Sequence, residues 1–315
     1  MVSLLSGVFL GWSLGANDAS NVFGSAVSAR MLRFWTAALL ASGFVILGSL
    51  LEGQAGIETL QNITPMGLKE AAVSSLAAAA TVTLMTFARL PVSTSQAVVG
   101  AILGIAVLNR ELNAPNLSKI VACWIGTPIG GMLIAMVLYR LSALVYNNLS
   151  MNLFQSDSLL RLSLIAAGSY GAYALGANNV ANVTAVFVAA DQLTVFSAVL
   201  VGGLSIALGI MTFSRRVMET VGRRLVRLDP FSALMVVMAE AITVHIYTFV
   251  GVPVSTSQAV VGAVLGIGII KGIKTVAPRT LVNILLGWCL TPLAAMIMAI
   301  GIYFAIHLQY MGPTP

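Results

Sequence analysis

The sequence predicts an all-α polytopic membrane protein, built as an inverted-topology repeat with two re-entrant helical hairpins. Only 8% of the 315 residues are charged and 58% are hydrophobic, whereas a soluble domain carries roughly 25% charged residues. Apolar runs near or above the ~18–20 residues that cross a bilayer recur along the whole chain. Three motifs also occur twice, in the same order. We therefore exclude a soluble protein and expect a multi-pass protein of the plasma or inner membrane, with the lipid bilayer as its surroundings.

The internal duplication is carried by three pairs of motifs with nearly constant offsets. The pairs are GANDASN at 15–21 with GANNVAN at 176–182, PVSTSQAVVG at 91–100 and again at 253–262, and WIGTP at 124–128 with WCLTP at 288–292. We therefore expect a first transmembrane repeat at 1–150 and a second, inverted one at 151–315.

Each half contains five apolar segments. In the first half they lie at about 2–29, 34–51, 70–88, 92–108 and 120–147, and in the second at about 162–190, 193–213, 231–250, 254–270 and 281–308. If all five segments cross the membrane, the number of crossings in each half is odd. If the third and fourth segments form a hairpin that returns to the same side, three crossings remain, which is also an odd number. Either way the second half starts on the opposite side of the membrane, so the repeats are inverted.

The distribution of charge tests this orientation independently. The loop at 52–69 carries two glutamates and one lysine, whereas its counterpart at 214–229 carries five arginines, at 215, 216, 223, 224 and 227. The positive-inside rule places the second loop in the cytoplasm. Parity then places Asp191 outside, and it places inside a further set of basic residues, Arg30, Arg33, Arg161, Lys271, Lys274 and Arg279. The basic excess is therefore a topology signal, and no nucleic-acid partner is expected.

The repeated PVSTSQAVVG stretch predicts the start of a helix in each half. Pro91 suits a position just before a helix, and Ser93 and Gln96 have capping-box spacing ahead of an apolar run. A helix N-terminus offers unpaired N–H groups and a partial positive charge. Two such ends, brought together by inverted symmetry, would hold a tetrahedral oxyanion; the alternative is that these residues only cap helices. The candidate set is Ser93, Thr94, Ser95, Gln96, Ser255, Thr256, Ser257 and Gln258.

The repeated asparagine-rich motif predicts a cation site. Asp18 is the only acid in the first apolar run, and an ionisable residue inside a membrane indicates function. Oxygen-rich side chains without histidine or cysteine suit a hard cation, with sodium favoured and a proton on Asp18 as the rival. Hydrogen bonding between helices is the alternative without a ligand. The candidate set is Asn17, Asp18, Asn21, Asn178, Asn179 and Asn182.

Two further features leave their roles open. Glu240 is another acid deep in an apolar segment, with His245 five residues on and Ala78 at its equivalent position in the first half. Glu240 fits either a role in coupling or gating, or a structural role in which its carboxyl group is paired with another side chain. The Thr127-Pro128 and Thr291-Pro292 steps predict kinked helices in which threonine satisfies a freed backbone group.

Other classes of protein are disfavoured. The sequence has no G-x-x-x-x-G-K-[ST] loop, so we expect no internal ATP motor. Its polar residues form no nucleophile–base–acid set, so we expect neither an enzyme, such as a membrane-embedded phosphate-ester hydrolase, nor a cofactor. A channel is the other rival, but an inverted repeat around a single buried acid favours a carrier.

The duplicated motifs resemble those of the inorganic phosphate transporter (PiT) family over essentially the whole chain. GANDASN and GANNVAN are similar to its duplicated GANDVAN signature, and the PVSTSQAVVGA stretches look like its hairpin tips. The resemblance implies symport of phosphate with sodium, or with protons in some bacterial members, and a homodimer. It further implies that the hairpin-tip residues bind phosphate and that the signature residues bind the cation.

One position departs from the family pattern. Asn179 stands where the signature has Asp, which removes a buried negative charge. Dianionic phosphate and Asp18 carry three negative charges; two sodium ions leave one, which two helix termini of roughly half a charge each could offset. This favours a sodium symporter. The alternative is a proton-coupled phosphate or sulfate permease, although monohydrogen phosphate, unlike sulfate, profits from an acceptor such as Asp18 or a glutamine carbonyl.

Overall fold

A computed structural model describes residues 2–87, 92–224, 228–272 and 278–310. Within those ranges the chain is all-helical. The helices are α1 (Val2–Ser28), α2 (Phe34–Glu52), α3 (Gln54–Gln61), α4 (Leu68–Phe87), α5 (Thr94–Asn109), α6 (Ala114–Asn147), α7 (Leu153–Ala189), α8 (Val195–Arg224), α9 (Pro230–Val250), α10 (Thr256–Lys271) and α11 (Pro278–Tyr310). Helices α2, α4, α6, α8, α9 and α11 each contain a stretch long and apolar enough to cross a bilayer. The chain is therefore a multi-pass membrane protein, as predicted.

Equivalent helices of the two halves run antiparallel. Gly7, near the start of α1, lies against Phe187 at the end of α7, and Gly168 of α7 lies against Phe23 near the end of α1. The helices also pack in equivalent pairs: α1 on α8 as α2 on α7, and α5 on α11 as α6 on α10. This arrangement agrees with the predicted inverted repeat. The two halves thus contact each other through several pairs of helices.

Two helical hairpins return to the side from which they start. The Asn113 N–H donates to the Ile63 carbonyl at 2.9 Å, which joins the end of the first hairpin (α4–α5) to its beginning. In the second hairpin (α9–α10), Lys271 at the end of α10 bonds Asp229, which precedes α9. Helices α5 and α10 have 16 residues each, about 24 Å of helix, and are too short to cross the ~30 Å hydrocarbon core.

Glycines bring the two halves into backbone contact at equivalent points. A Cβ atom at Gly15 would lie 1.9 Å from the Ile206 carbonyl oxygen, and one at Gly176 would lie 2.0 Å from that of Val45. Gly100 and Gly262 make the same approach to the carbonyls at 292 and 128, which belong to the Thr-Pro steps. Small residues permit such close approach between membrane helices. The hairpins are thereby held against α6 and α11.

The structure corrects several predicted boundaries. The predicted loop at 52–69 contains the short helix α3, and most of the predicted loop at 214–229 is the end of α8. Helix α7 begins nine residues before the predicted segment, because Asn152 caps it through a capping box with Gln155. Pro91, Arg227 and Lys274 lie outside the described residues.

Candidate functional site

The tips of the two hairpins have the same local structure. Ser93 Oγ accepts a hydrogen bond from the Gln96 N–H at 3.3 Å, and Ser255 Oγ accepts one from Gln258 at 3.3 Å. Both serines have extended backbone, as N-caps do. The predicted helix starts are confirmed. Capping occupies these two hydroxyls and leaves the next hydroxyls of each tip facing the centre of the molecule.

The two tips meet. Ser95 Oγ lies 2.9 Å from the Val254 carbonyl oxygen, one residue before the cap of the other hairpin. The same hydroxyl accepts a hydrogen bond from Asn182 Nδ2 on α7 at 2.9 Å. Ser95 is 1% exposed. The inverted symmetry therefore brings the N-termini of α5 and α10 together inside the protein, where the first N–H groups of each helix have no intrahelical acceptor.

The motif of α1 reaches both tips. Asn21 Nδ2 donates to Thr256 Oγ1 at 2.9 Å and to Ser257 Oγ at 3.2 Å, both on the second tip. Asp18 Oδ1 accepts from Asn17 Nδ2 at 2.8 Å and faces Thr94 Oγ1 of the first tip at 3.5 Å. The carboxylate is buried, so it lies at the junction of α1 with the first tip and away from bulk water.

The three asparagines of the equivalent motif in α7 make different hydrogen bonds. Asn178 Nδ2 donates to the Val252 carbonyl at 3.1 Å, and Asn178 Oδ1 accepts from the Val254 N–H at 2.8 Å, so this amide holds the extended backbone of the second tip. Asn182 Nδ2 donates to Asn179 Oδ1 at 2.7 Å as well as to Ser95. Asn178 thus positions the tip, whereas Asn179 and Asn182 face Ser95.

Several buried polar atoms around the tips have no partner among the described residues. These atoms are Gln96 Oε1, Gln258 Oε1, Asn179 Nδ2 and Asn182 Oδ1. A buried polar atom without a hydrogen bond costs about 1–3 kcal/mol. The set combines amide oxygens, which suit a hard cation, with an amide N–H donor, which suits an oxyanion, beside the hydroxyls of the tips. Thus the structure brings together all of the predicted site residues.

Two side-chain groups behave in ways that only the fold reveals. His245 does not pair with Glu240: its Nε2 lies 2.7 Å from Glu52 Oε2, and its Nδ1 lies 2.7 Å from the Tyr170 hydroxyl. Glu52 is 193 residues away in the chain, so spacing could not have identified it. Thr127 and Thr291 donate to the carbonyls of Cys123 and Gly287, at 2.7 Å and 2.6 Å. The carbonyls that Pro128 and Pro292 free are those of residues 124 and 288, so the prediction that threonine satisfies a freed group is wrong.

Comparison with known proteins finds membrane transporters. The sequence profile described as the Phosphate transporter family matches residues 14–156 and 150–299. A protein of Methanocaldococcus jannaschii that is called a phosphate permease is 29% identical over 94% of this chain and 94% of its own length. A sulfate permease of Bacillus subtilis is 28% identical over 94% of this chain and 85% of its own length. A solved structure of a sodium-dependent phosphate transporter shares the fold, with a TM-score of 0.89 at 23% identity over 98% of each chain.

Proposed function

Because the chain belongs to the phosphate transporter family, a family of transporters and not of enzymes, we infer that it is a secondary active symporter that moves inorganic phosphate across the cell membrane together with sodium. The meeting of the two hairpin tips at Ser95 and Val254 is the observation that carries this proposal. Two helix N-termini that converge inside a membrane protein favour an anion without a buried arginine or lysine. Such a neutral clamp can also release the anion.

The phosphate is proposed to bind between the tips. Thr94, Ser95, Thr256 and Ser257 would donate hydroxyls together with the first N–H groups of α5 and α10, while Ser93 and Ser255 maintain the helix caps. Gln96 Oε1 and Gln258 Oε1 are buried and lack partners among the described residues, so either could accept a hydrogen bond from the hydroxyl of monohydrogen phosphate. Sulfate has no such proton at neutral pH. The unpartnered acceptors therefore favour phosphate over sulfate.

Sodium is proposed to bind at the two asparagine-rich motifs. Asp18 supplies the charge, and Asn17, Asn21, Asn179 and Asn182 supply amide oxygens, while Asn178 acts on the cation site through the second tip. Thr94 lies 3.5 Å from the Asp18 carboxylate, so a cation at Asp18 and an anion at the first tip would attract each other directly. This contact gives a physical reason for coupled binding.

The antiparallel repeats provide the route for alternating access. Residues 1–150 and 151–315 are proposed to act as the two repeats, and the site between them would open to one side at a time as the hairpins move against α6 and α11. The homodimer that the family resemblance implies stays a prediction.

Uptake of radiolabelled phosphate into liposomes that contain the purified protein tests the proposal. We expect an inward sodium gradient to drive uptake, a potassium gradient to have no effect, and excess sulfate to compete poorly. Uptake driven by a pH gradient without sodium would instead support proton coupling. Strong competition by sulfate would support the second candidate function, that of a sulfate permease. The 28% identity to the Bacillus subtilis sulfate permease is the observation that favours this candidate.

A further inference from the structure

Glu240 is a fully buried acid that has no role in the site described above. It lies in the middle of α9, its side chain is 0% exposed, and neither carboxyl oxygen has a hydrogen-bond partner among the described residues. It faces Gly171 of α7, where a Cβ atom would lie 3.5 Å from Glu240 Oε2 and 3.0 Å from Val22 of α1. The carboxyl group therefore occupies a space between α1, α7 and α9 that a glycine keeps open.

An ionised carboxylate in this place needs a cation. Burying a charge without hydrogen bonds or a counter-ion costs several kcal/mol even after relaxation. The charged side chain that acts on Glu240 from a neighbouring helix is Asp18, which has the same sign. The histidine of its own helix, His245, is already paired with Glu52 and Tyr170 on α2 and α7. None of these groups neutralises Glu240.

The position of Glu240 complements the departure at residue 179. The first half has a buried acid at Asp18 and an alanine, Ala78, at the position equivalent to 240. The second half has Asn179 in place of an acid and Glu240 on the adjacent helix α9. Each half thus contributes one buried carboxyl group to the centre of the molecule, from different helices.

We propose that Glu240 is a further cation site, which takes a monovalent coupling ion, sodium or a proton, and supplies the negative charge that Asn179 lacks. This proposal rests on the proposed symport and adds to it a second carboxylate that must be neutralised in each transport cycle. Because Asp18 and Glu240 repel each other, a cation at either one eases ionisation of the other. Their occupancies are therefore linked.

The primary test compares Glu240→Gln with the natural protein in liposomes. Glutamine keeps the shape but cannot be ionised, so we expect phosphate to move with about one fewer cation per cycle. If the ion is sodium, the ratio of radiolabelled sodium to phosphate falls by one. If it is a proton, that ratio is unchanged and uptake loses its dependence on pH. Glu240→Asp keeps the charge and should keep the coupling, and Glu58→Gln, at an exposed acid, is the control.

A second measurement covers the case in which the variant fails to fold. Dicyclohexylcarbodiimide modifies carboxylic acids in apolar surroundings, and mass spectrometry of the natural protein identifies the modified residue. We expect modification of Glu240 that sodium slows at constant pH, or that alkaline pH slows at constant sodium. An unchanged cation ratio and pH profile in Glu240→Gln, or modification that is indifferent to both ions, would overturn the site. Sodium-driven phosphate uptake by the natural protein would survive that result, so the two proposals fail separately.

Discussion

At the scale of single residues, identical side chains in the two asparagine-rich motifs have different tasks. Asn178 uses both ends of its amide on the backbone of the second tip, whereas Asn179 and Asn182 each retain a buried atom that has no partner in the described part of the chain. In α1, Asn21 bonds the second tip directly, and Asp18 faces the first. The difference arises because each amide meets a different neighbour, although the motifs are nearly the same.

Asp18→Asn should strongly reduce sodium-dependent phosphate uptake. The change keeps the size of the side chain but removes its charge, so the cation loses its charged ligand and we expect uptake to fall on the order of 10- to 100-fold. Initial rates at several sodium concentrations measure the effect, with Glu58→Gln as the control for loss of an acid. Full sodium dependence in Asp18→Asn would rule out the assignment of the cation site.

At the scale of helices, each hairpin is positioned by its tip, its glycines and its base. The tip is capped by serine, the glycines allow α5 and α10 to touch the Thr-Pro steps of α11 and α6, and the base of the second hairpin is closed by Asp229 and Lys271. Helix α3 adds a further contact: Gly56 lies against Ala181 and near the Asn178 carbonyl. The outer side of the α7 motif is thereby covered.

Gly262→Ala should destabilise the protein and impair uptake. The new methyl group would lie 2.0 Å from the Pro128 carbonyl oxygen, so α10 would have to move away from α6 at a cost of about 1–3 kcal/mol or more. Thermal unfolding in detergent and phosphate uptake check this. Gly43→Ala is the matched control, because nothing lies within 4 Å of a Cβ there; equal stability of the two variants would contradict the close approach.

Asp229 should make the second hairpin sensitive to acid. Partial burial acts to raise the pKa of Asp229, but hydrogen bonds from Lys271 and Ser232 outweigh it and lower the pKa from 3.8 to about 2. A lowered pKa means that the contribution to stability is complete above pH 3.8 and is lost as the pH falls towards 2. Asparagine caps helices as well as aspartate does, so Asp229→Asn isolates the charge.

The expected result is a thermal stability of Asp229→Asn that is lower than that of the natural protein at neutral pH and converges with it near the lowered pKa. Asp157→Asn, at an exposed pair 3.4 Å from Arg161, should behave like the natural protein throughout, because exposed pairs contribute little. A gap between Asp229→Asn and the natural protein that stayed constant with pH would mean that the charge is not responsible.

At the scale of the whole molecule, the two halves share one backbone design but carry opposite charges at equivalent ends. Arg30, after α1, and Asp191, after α7, both adopt the left-handed conformation, with φ of 59° and 55°. Because α1 and α7 run antiparallel, we expect these ends to lie on opposite sides of the membrane. The basic residue at one turn and the acidic residue at the equivalent turn are therefore what the positive-inside rule predicts for two halves of opposite orientation.

Labelling of single cysteines should confirm this orientation. In a background without Cys123 and Cys289, Gln192→Cys should react with a membrane-impermeant maleimide on intact cells, and Arg33→Cys only after lysis. Both positions are exposed and adjoin the turns at Asp191 and Arg30. Reaction of both on intact cells would contradict the inverted arrangement.

The sequence by itself determined the membrane environment, the duplication, the inverted orientation and the helix starts at Ser93 and Ser255. These features depend on composition, on counting segments and on local capping, all of which can be read along the chain without knowing which helices meet. It also predicted the polar residues that the structure brings to the hairpin tips, because a polar residue in an apolar run needs a reason to be there.

Only the tertiary structure decided which of those residues meet. Three contacts involve residues that are far apart in the chain. Ser95 bonds Val254, His245 pairs with Glu52, and Glu240 lies beside Gly171. Such contacts depend on how helices from opposite halves approach each other, which spacing along one chain does not encode. Helix α3 was missed for a related reason: its eight residues are too short and too polar to stand out as an apolar segment.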